Sequence, residues 1–190
     1  MTKFTSAGSN RDFPELCKEA AGNALKDAGL RYDQIEQAVV GYNYGDPTCG
    51  QRAVYELGLT GIPVVNVNNN CSTGSTALFL AKQAIQSNCE CVLALGFEKM
   101  ERNLSQVHFE RGWTSPTSKH WDMMYDERFG KSLDVSREKC NPRWNEFTDN
   151  VIKLFGYAAR EHMNQYGTTP EQFAKISYKN HRHSVANPYA

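Results

Sequence analysis

The chain has no surplus of charge of either sign: 21 basic and 21 acidic side chains leave a formal net charge of zero. That balance argues against nucleic acid or an anionic membrane surface as the main partner. No apolar run approaches the ~20 residues that a membrane span needs. The opening Met1-Thr2-Lys3-Phe4 lacks the hydrophobic core of a signal peptide. The six cysteines (Cys17, Cys49, Cys71, Cys89, Cys91 and Cys140) form no disulfide framework, and the Cys89/Cys91 pair has no second pair to complete a zinc site. Reduced thiols in an intracellular compartment are expected. Internal repeats and low-complexity tracts are also absent. What is present is a globular composition, 40% apolar over 190 residues, enough for one domain with a core or for parts of two.

Asp12 is placed to cap a helix, with Glu15 completing a capping box; Phe13, Leu16, Cys17, Ala20, Ala24 and Ala28 form its apolar stripe and Gly29 its end. Strands are expected at 38–42, 63–67 and 91–95, and helices at 51–57 and 71–86. Near-continuous apolar strands alternating with helices predict an α/β fold with a mainly parallel sheet. From residue 101 to 150 the sequence turns charged and aromatic, with Trp113, Trp121 and Trp144. Helical spacing returns at 151–165, and Thr169-Pro170-Glu171-Gln172 opens a last helix with a capping box. The expected division is an α/β part, 1–100, and a second part, 101–190.

Cys71 falls where the strand 63–67 gives way to a helix whose apolar positions are Ala77, Leu80, Ala81, Ala84 and Ile85. A thiol at a helix N-terminus meets unpaired amides and the positive end of the dipole, which favour the thiolate. Ser72, Gly74 and Ser75 leave room for a substrate. The residues alone permit two readings, a nucleophile that takes an acyl group or a buried structural cysteine. The other candidates are weaker. His108, His120 and His162 lack metal-ligand spacing and are read as structural or surface residues. The cluster Lys179-Asn180-His181-Arg182-His183 suits a phosphate but is better read as a solvated helix end. Asn68-Asn69-Asn70 is the composition of a turn or cap.

Three stretches carry a resemblance. They are Gly45-Asp46-Pro47-Thr48-Cys49-Gly50-Gln51-Arg52-Ala53, the run from Asn66 through Asn68-Asn69-Asn70-Cys71-Ser72-Thr73-Gly74-Ser75-Thr76-Ala77-Leu78, and Glu90-Cys91-Val92-Leu93-Ala94-Leu95-Gly96-Phe97-Glu98-Lys99-Met100. A fourth runs from Phe155-Gly156-Tyr157-Ala158 to Asn187-Pro188-Tyr189. Together they resemble the N-terminal part of the thiolase domain of sterol carrier protein X, within the thiolase superfamily. The resemblance implies a partial thiolase-like fold, a mainly parallel sheet with a buried nucleophile helix, and part of a helical loop domain.

The implied chemistry is ping-pong acyl transfer. Cys71 attacks a 3-ketoacyl-CoA with a branched or sterol-side-chain acyl group, holds the acyl group as a thioester, and yields it to free coenzyme A. The Cys71 backbone N–H is the implied oxyanion donor. Coenzyme A and acyl-CoA enter as substrates, with no resident cofactor and no metal. The implied activating histidine, oxyanion-hole histidine and second cysteine belong to His-Pro and Cys-x-Gly motifs, which this sequence lacks, and no cysteine follows Cys140. The strand 63–67 is implied to pair across a homodimer axis, and the setting is implied to be peroxisomal, although Asn187-Pro188-Tyr189-Ala190 is no peroxisomal address. Residues 121–152 do not match the family pattern. The chain is expected to be a fragment truncated at both ends. It is expected to lack turnover alone, and to fold poorly because a missing opening strand leaves a gap in the sheet. The second class of function is a non-catalytic lipid-handling or interaction role.

Overall fold

Asp12 sets the first helix in place. Its carboxylate accepts from the Phe13 amide at 2.8 Å, and Pro14, which has no N–H to lose, sits in the first turn of α1 (Phe13–Ala28). The helix closes at Gly29, whose φ of 68° lets its N–H turn back onto Leu25 and Lys26 carbonyls. The capping box expected with Glu15 is replaced by something wider. Asp12 also holds Arg52 at 3.2 Å and Lys99 at 3.5 Å, so one carboxylate joins the start of α1 to two distant segments.

The computed structural model describes residues 1–5, 11–99 and 146–190. These belong to two units, Met1–Arg102 with Asn187–Ala190, and Asn103–Ala186. In the first, α1 is followed by a 3-10 turn (Tyr32–Gln34), β1 (Gln37–Gly41), α2 (Cys49–Tyr55), β2 (Val64–Val67), a second 3-10 turn (Asn70–Ser72), α3 (Thr73–Gln86) and β3 (Val92–Gly96). The strands form one parallel sheet in the order β2-β1-β3. β1 pairs with β2 from Ala38↔Val64 to Gly41↔Val67, and with β3 from Gln37↔Val92 to Gly41↔Gly96. The gap expected between strands is therefore not there: β1 bonds directly to a neighbour on each side. The parallel ladder satisfies the backbone groups whose loss had argued for poor folding.

The central strand is buried on both faces, as its unbroken apolar run requires. Ala38, Val40 and Tyr42 point to one layer, where Phe13, Cys17 and Ala21 of α1 and Ala53 and Val54 of α2 complete the core. Val39 points the other way and packs with Val67, Ala77 and Ala81 beneath α3. Phe97 stacks between Phe13 and Tyr42 at centroid distances of 4.4 and 5.0 Å, and the Arg52 guanidinium lies 5.0 Å over the Phe13 ring. The α1 stripe differs from expectation past its second turn: Ala24 and Ala28 are exposed, and Ala21 is buried with Leu25 partly covered. Only one face of α3 is covered among the described residues; Leu78 and Phe79 on its other side are 66% and 58% exposed.

α2 begins two residues earlier than the spacing suggested, and β2 explains why. The N-cap residue Thr48 makes no side-chain cap bond. Instead Asn66 of β2 accepts from the Gly50 amide at 2.8 Å and donates to Gln51 Oε1 at 2.7 Å. A Cβ on Gly50 would overlap Asn66 Oδ1 and stand 3.0 Å from Val40 Cβ, so this approach requires glycine.

The second unit contributes α4 (Glu146–Tyr166) and α5 (Pro170–Ser184). The box expected at α5 forms in full: the Gln172 amide donates to Thr169 Oγ1 and the Thr169 amide to Gln172 Oε1. His162 packs on Tyr166 and Phe173, beside a groove of about 460 Å³ that Phe155, Ala158 and Ile176 also line. The expectations placed on His108, His120, Cys140 and the three tryptophans, and on most of 121–152, lie outside the described residues. No helix among the described residues is long and apolar enough to cross a membrane.

Candidate functional site

Three parallel strands bring their C-terminal ends to one edge of the sheet, where open α/β sheets bind ligands. Tyr42-Asn43-Tyr44 leaves β1 there, Asn68-Asn69-Asn70-Cys71 leaves β2, and Phe97-Glu98 leaves β3. Cys71 is the middle residue of the 3-10 turn Asn70–Ser72, which runs straight into α3. The residue before it, Asn70, takes φ 47°, a left-handed conformation that asparagine tolerates better than other side chains.

The turn is held by its own small polar side chains. The Asn69 amide donates to Thr73 Oγ1 at 2.8 Å, and that hydroxyl donates to the Asn70 carbonyl at 2.6 Å. Ser72 Oγ donates to the Asn69 carbonyl, Asn69 Nδ2 to Thr76 Oγ1, and Thr76 Oγ1 to the Ser72 carbonyl. The asparagine run thus does the turn-building work its composition suggested. Gly41 lets this assembly sit close on the sheet. A Cβ there would stand 2.7 Å from Thr73 Cγ2 and 3.1 Å from its carbonyl oxygen.

Cys71 is exposed at this edge, whereas Cys17 and Cys49 are buried. Burial pushes the Cys17 thiol up to about 12, and burial is also the main cause that raises Cys49, with the Asp46 backbone bond opposing it. Cys89 and Cys91 are partly buried. Of the described cysteines, Cys71 is the most exposed.

Around it the structure gathers groups that no local sequence pattern flagged. Glu98 accepts from the backbone amides of Asn43 at 3.1 Å and Tyr44 at 3.2 Å. Asn68 Nδ2 donates to the Asn43 carbonyl at 3.0 Å. Much of Glu98 is open to solvent, yet desolvation of its carboxyl group raises its pKa against the lowering effect of the two amides. The Tyr44 phenol is also raised, first by burial and then by the charges of Glu98 and Cys71. Only the Gly-Phe-Glu-Lys-Met run drew attention to Glu98, and spacing gave it no role.

The remaining described candidates belong to the second unit. His162 lies in the second unit, among aromatic neighbours. His181, Arg182 and His183 are exposed in the last turn of α5, where positive charge suits the dipole.

A sequence model of the family described as thiolase, N-terminal domain, matches residues 1–190. The chain belongs to the thiolase family. It is 52% identical over 194 residues to sterol carrier protein 2 of Oryctolagus cuniculus, covering 100% of this chain and 32% of that protein. It is 45% identical over 195 residues to the non-specific lipid-transfer protein-like 2 of Caenorhabditis elegans, covering 99% of this chain and 43% of the relative. At 27% identity over 184 residues it also matches the benzoylsuccinyl-CoA thiolase subunit BbsB of Thauera aromatica, over 94% of this chain and 40% of that subunit. This thiolase chain therefore spans about a third of the length of the rabbit sterol carrier protein it matches.

Proposed function

We propose that this chain supplies the nucleophile half of a thiolase, with Cys71 as the residue that takes the acyl group. The observation that carries it is the setting of Cys71, exposed at the C-terminal edge of a parallel sheet and at the start of α3, while Cys17 and Cys49 are shut inside. The thiolate attacks the 3-keto carbon of a 3-ketoacyl-CoA, and the bond between C2 and C3 breaks. The electron pair stays on C2, so the C1–C2 fragment leaves as a CoA thioester enolate and takes up a proton, while the acyl group shortened by that fragment remains on Cys71. Coenzyme A thiol then attacks the acyl-Cys71 thioester, restoring the cysteine. The backbone N–H of Cys71 is the donor proposed for the thioester oxyanion. The protons require acid–base groups from the His-Pro and Cys-x-Gly motifs of the family pattern, which are not in this sequence.

Branched or sterol-side-chain 3-ketoacyl-CoA, in peroxisomal fatty-acid breakdown, is the substrate class that goes with this proposal. A homodimer built on β2 goes with it too. Among the described residues β2 has a strand partner on one side only, and Val65 on it is 36% exposed. An open edge of this kind invites a second strand. Lipid handling without catalysis finds support in the sterol carrier and lipid-transfer names of relatives.

Acyl transfer is tested by incubating the chain with a short acyl-CoA, whose CoA thiolate can leave without the missing acid–base groups, then intact-mass and peptide mapping. An acyl adduct on Cys71, absent in Cys71→Ser, is the expected result. An unmodified protein, or an adduct on Cys89 or Cys91, overturns the assignment.

A further inference from the structure

The three strand ends at the candidate site are tied together by one side chain. Residues after β3 alternate in direction: Phe97 packs on Phe13, and Lys99 pairs with Asp12. Glu98, between them, turns the other way, toward the edge where the Cys71 turn stands. There its two oxygens divide between two consecutive amides, Oε2 with Asn43 and Oε1 with Tyr44. Consecutive N–H groups converging on one anion make a nest, and a carboxylate fills it with two charge-assisted bonds. The carbonyl of the same Asn43 accepts from Asn68, three residues before Cys71. A continuous path therefore runs from β3 through the end of β1 to the turn that follows β2.

We propose that Glu98 is a positioning residue for Cys71, fixing the β1 exit as an anchor to which Asn68 ties the nucleophile turn. The inference rests on taking Cys71 as the nucleophile. Glutamate suits the post because both amides need acceptors at once. Glutamine can offer one oxygen and must turn an NH₂ toward the other amide; alanine offers nothing. The clamp also keeps Tyr44 in place beside the thiol, in keeping with the combined influence of Glu98 and Cys71 on its phenol. The turn's internal bonds shape it locally, but among the described side-chain hydrogen bonds only Asn68 ties it to the end of a neighbouring strand.

The test compares the 190-residue chain with Glu98→Gln, Glu98→Ala, Asn68→Ala and the double variant Glu98→Ala/Asn68→Ala. Iodoacetamide labelling of Cys71 is followed by peptide mapping, with Cys89 in the same molecule as internal reference and a urea midpoint for each variant. Expected is a fall in Cys71 labelling of at least fivefold in Glu98→Ala, a smaller fall in Glu98→Gln, and Cys89 within twofold. Asn68→Ala should match Glu98→Ala, and the double variant should be no slower than either, because both cut the same path. Additive losses overturn the proposal, as does an unchanged rate, a parallel change at Cys89, or a rise in both Glu98 variants, which would mean that only charge was felt. Labelling is independent of acyl transfer. A chain that shows this coupling but forms no acyl-Cys71 refutes the acyl-transfer assignment alone.

Discussion

Gly41→Ala adds one methyl group at the closest approach between the sheet and the start of α3. The new Cβ would stand 2.7 Å from Thr73 Cγ2, 3.1 Å from its carbonyl oxygen and 3.3 Å from its carbonyl carbon. The side-chain methyl cannot swing aside freely, because the hydroxyl on the same Cβ accepts from Asn69 and donates to Asn70. Turning Thr73 breaks both bonds, at roughly 0.5–1.5 kcal/mol each. Keeping them forces α3 and its turn off the sheet, an overpacking that typically costs about 1–3 kcal/mol. Alanine recovers roughly 0.5–1 kcal/mol because the unfolded chain is less free. The net expectation is a loss of about 1–2 kcal/mol, with Cys71 labelling changed as its turn shifts. Gly22→Ala is the paired control: it lies within α1, meets nothing within 4 Å, and should gain roughly 0.5–1 kcal/mol. Urea unfolding followed by far-UV circular dichroism reads both. A Gly41→Ala chain as stable as the parent would refute the argument that this contact sets the height of the Cys71 turn.

Under limiting iodoacetamide Cys71 should label first, and Cys17 should lag far behind: raising its thiol from 9.0 to about 12 lowers its thiolate fraction by about a thousandfold, on top of its burial. Peptide mapping that finds Cys17 or Cys49 labelled ahead of Cys71 in folded protein would contradict this. Asn66→Ala should cost about 1 kcal/mol by uncapping Gly50, whereas Asn66→Asp, which keeps the acceptor, should recover most of it in the same urea assay. Asp12 sits below its usual 3.8: burial acts to raise it, but the Phe13 amide and the Lys99 and Arg52 charges prevail. Its stabilising effect is thus present above the unfolded value and fades as pH falls through and below 3.8, so thermal melts of Asp12→Asn should show a shallower acid limb than the parent. If the two chains lose stability in parallel over that range, Asp12 is not the group responsible.

Features built from neighbours in sequence were legible, and those built across strands were not. The box at Thr169 and Gln172 formed as read because all its atoms lie within one turn. The order strand, helix, strand followed from apolar runs whose central member, β1, is covered on both faces. The stripe on α1 misplaced Ala24 and Ala28 because the covered face continues through Ala21 and Leu25 instead, a matter of tertiary packing. Cys71 could be singled out from the strand–helix junction and its small neighbours. Glu98 could not, because its partners Asn43 and Tyr44 lie more than fifty residues away and become neighbours only through strand pairing. The sheet gap was inferred from a family pattern. It failed because β1 and β3 can pair directly once both are apolar and parallel.

The cap on α2 has a consequence for how the first unit assembles. A seven-residue helix is too short to persist by itself in water, and this one lacks a cap of its own. The amide of its second residue, Gly50, finds its acceptor on β2, which lies in register beside β1. α2 can therefore be no more than a fleeting turn until β2 has joined the sheet, and β2 in turn hides the amide group of Asn66 only when α2 is there to receive it. The two elements should appear and vanish together, so that hydrogen exchange at Ala53 and Val54 would follow the opening of β2 and not the fraying of a helix.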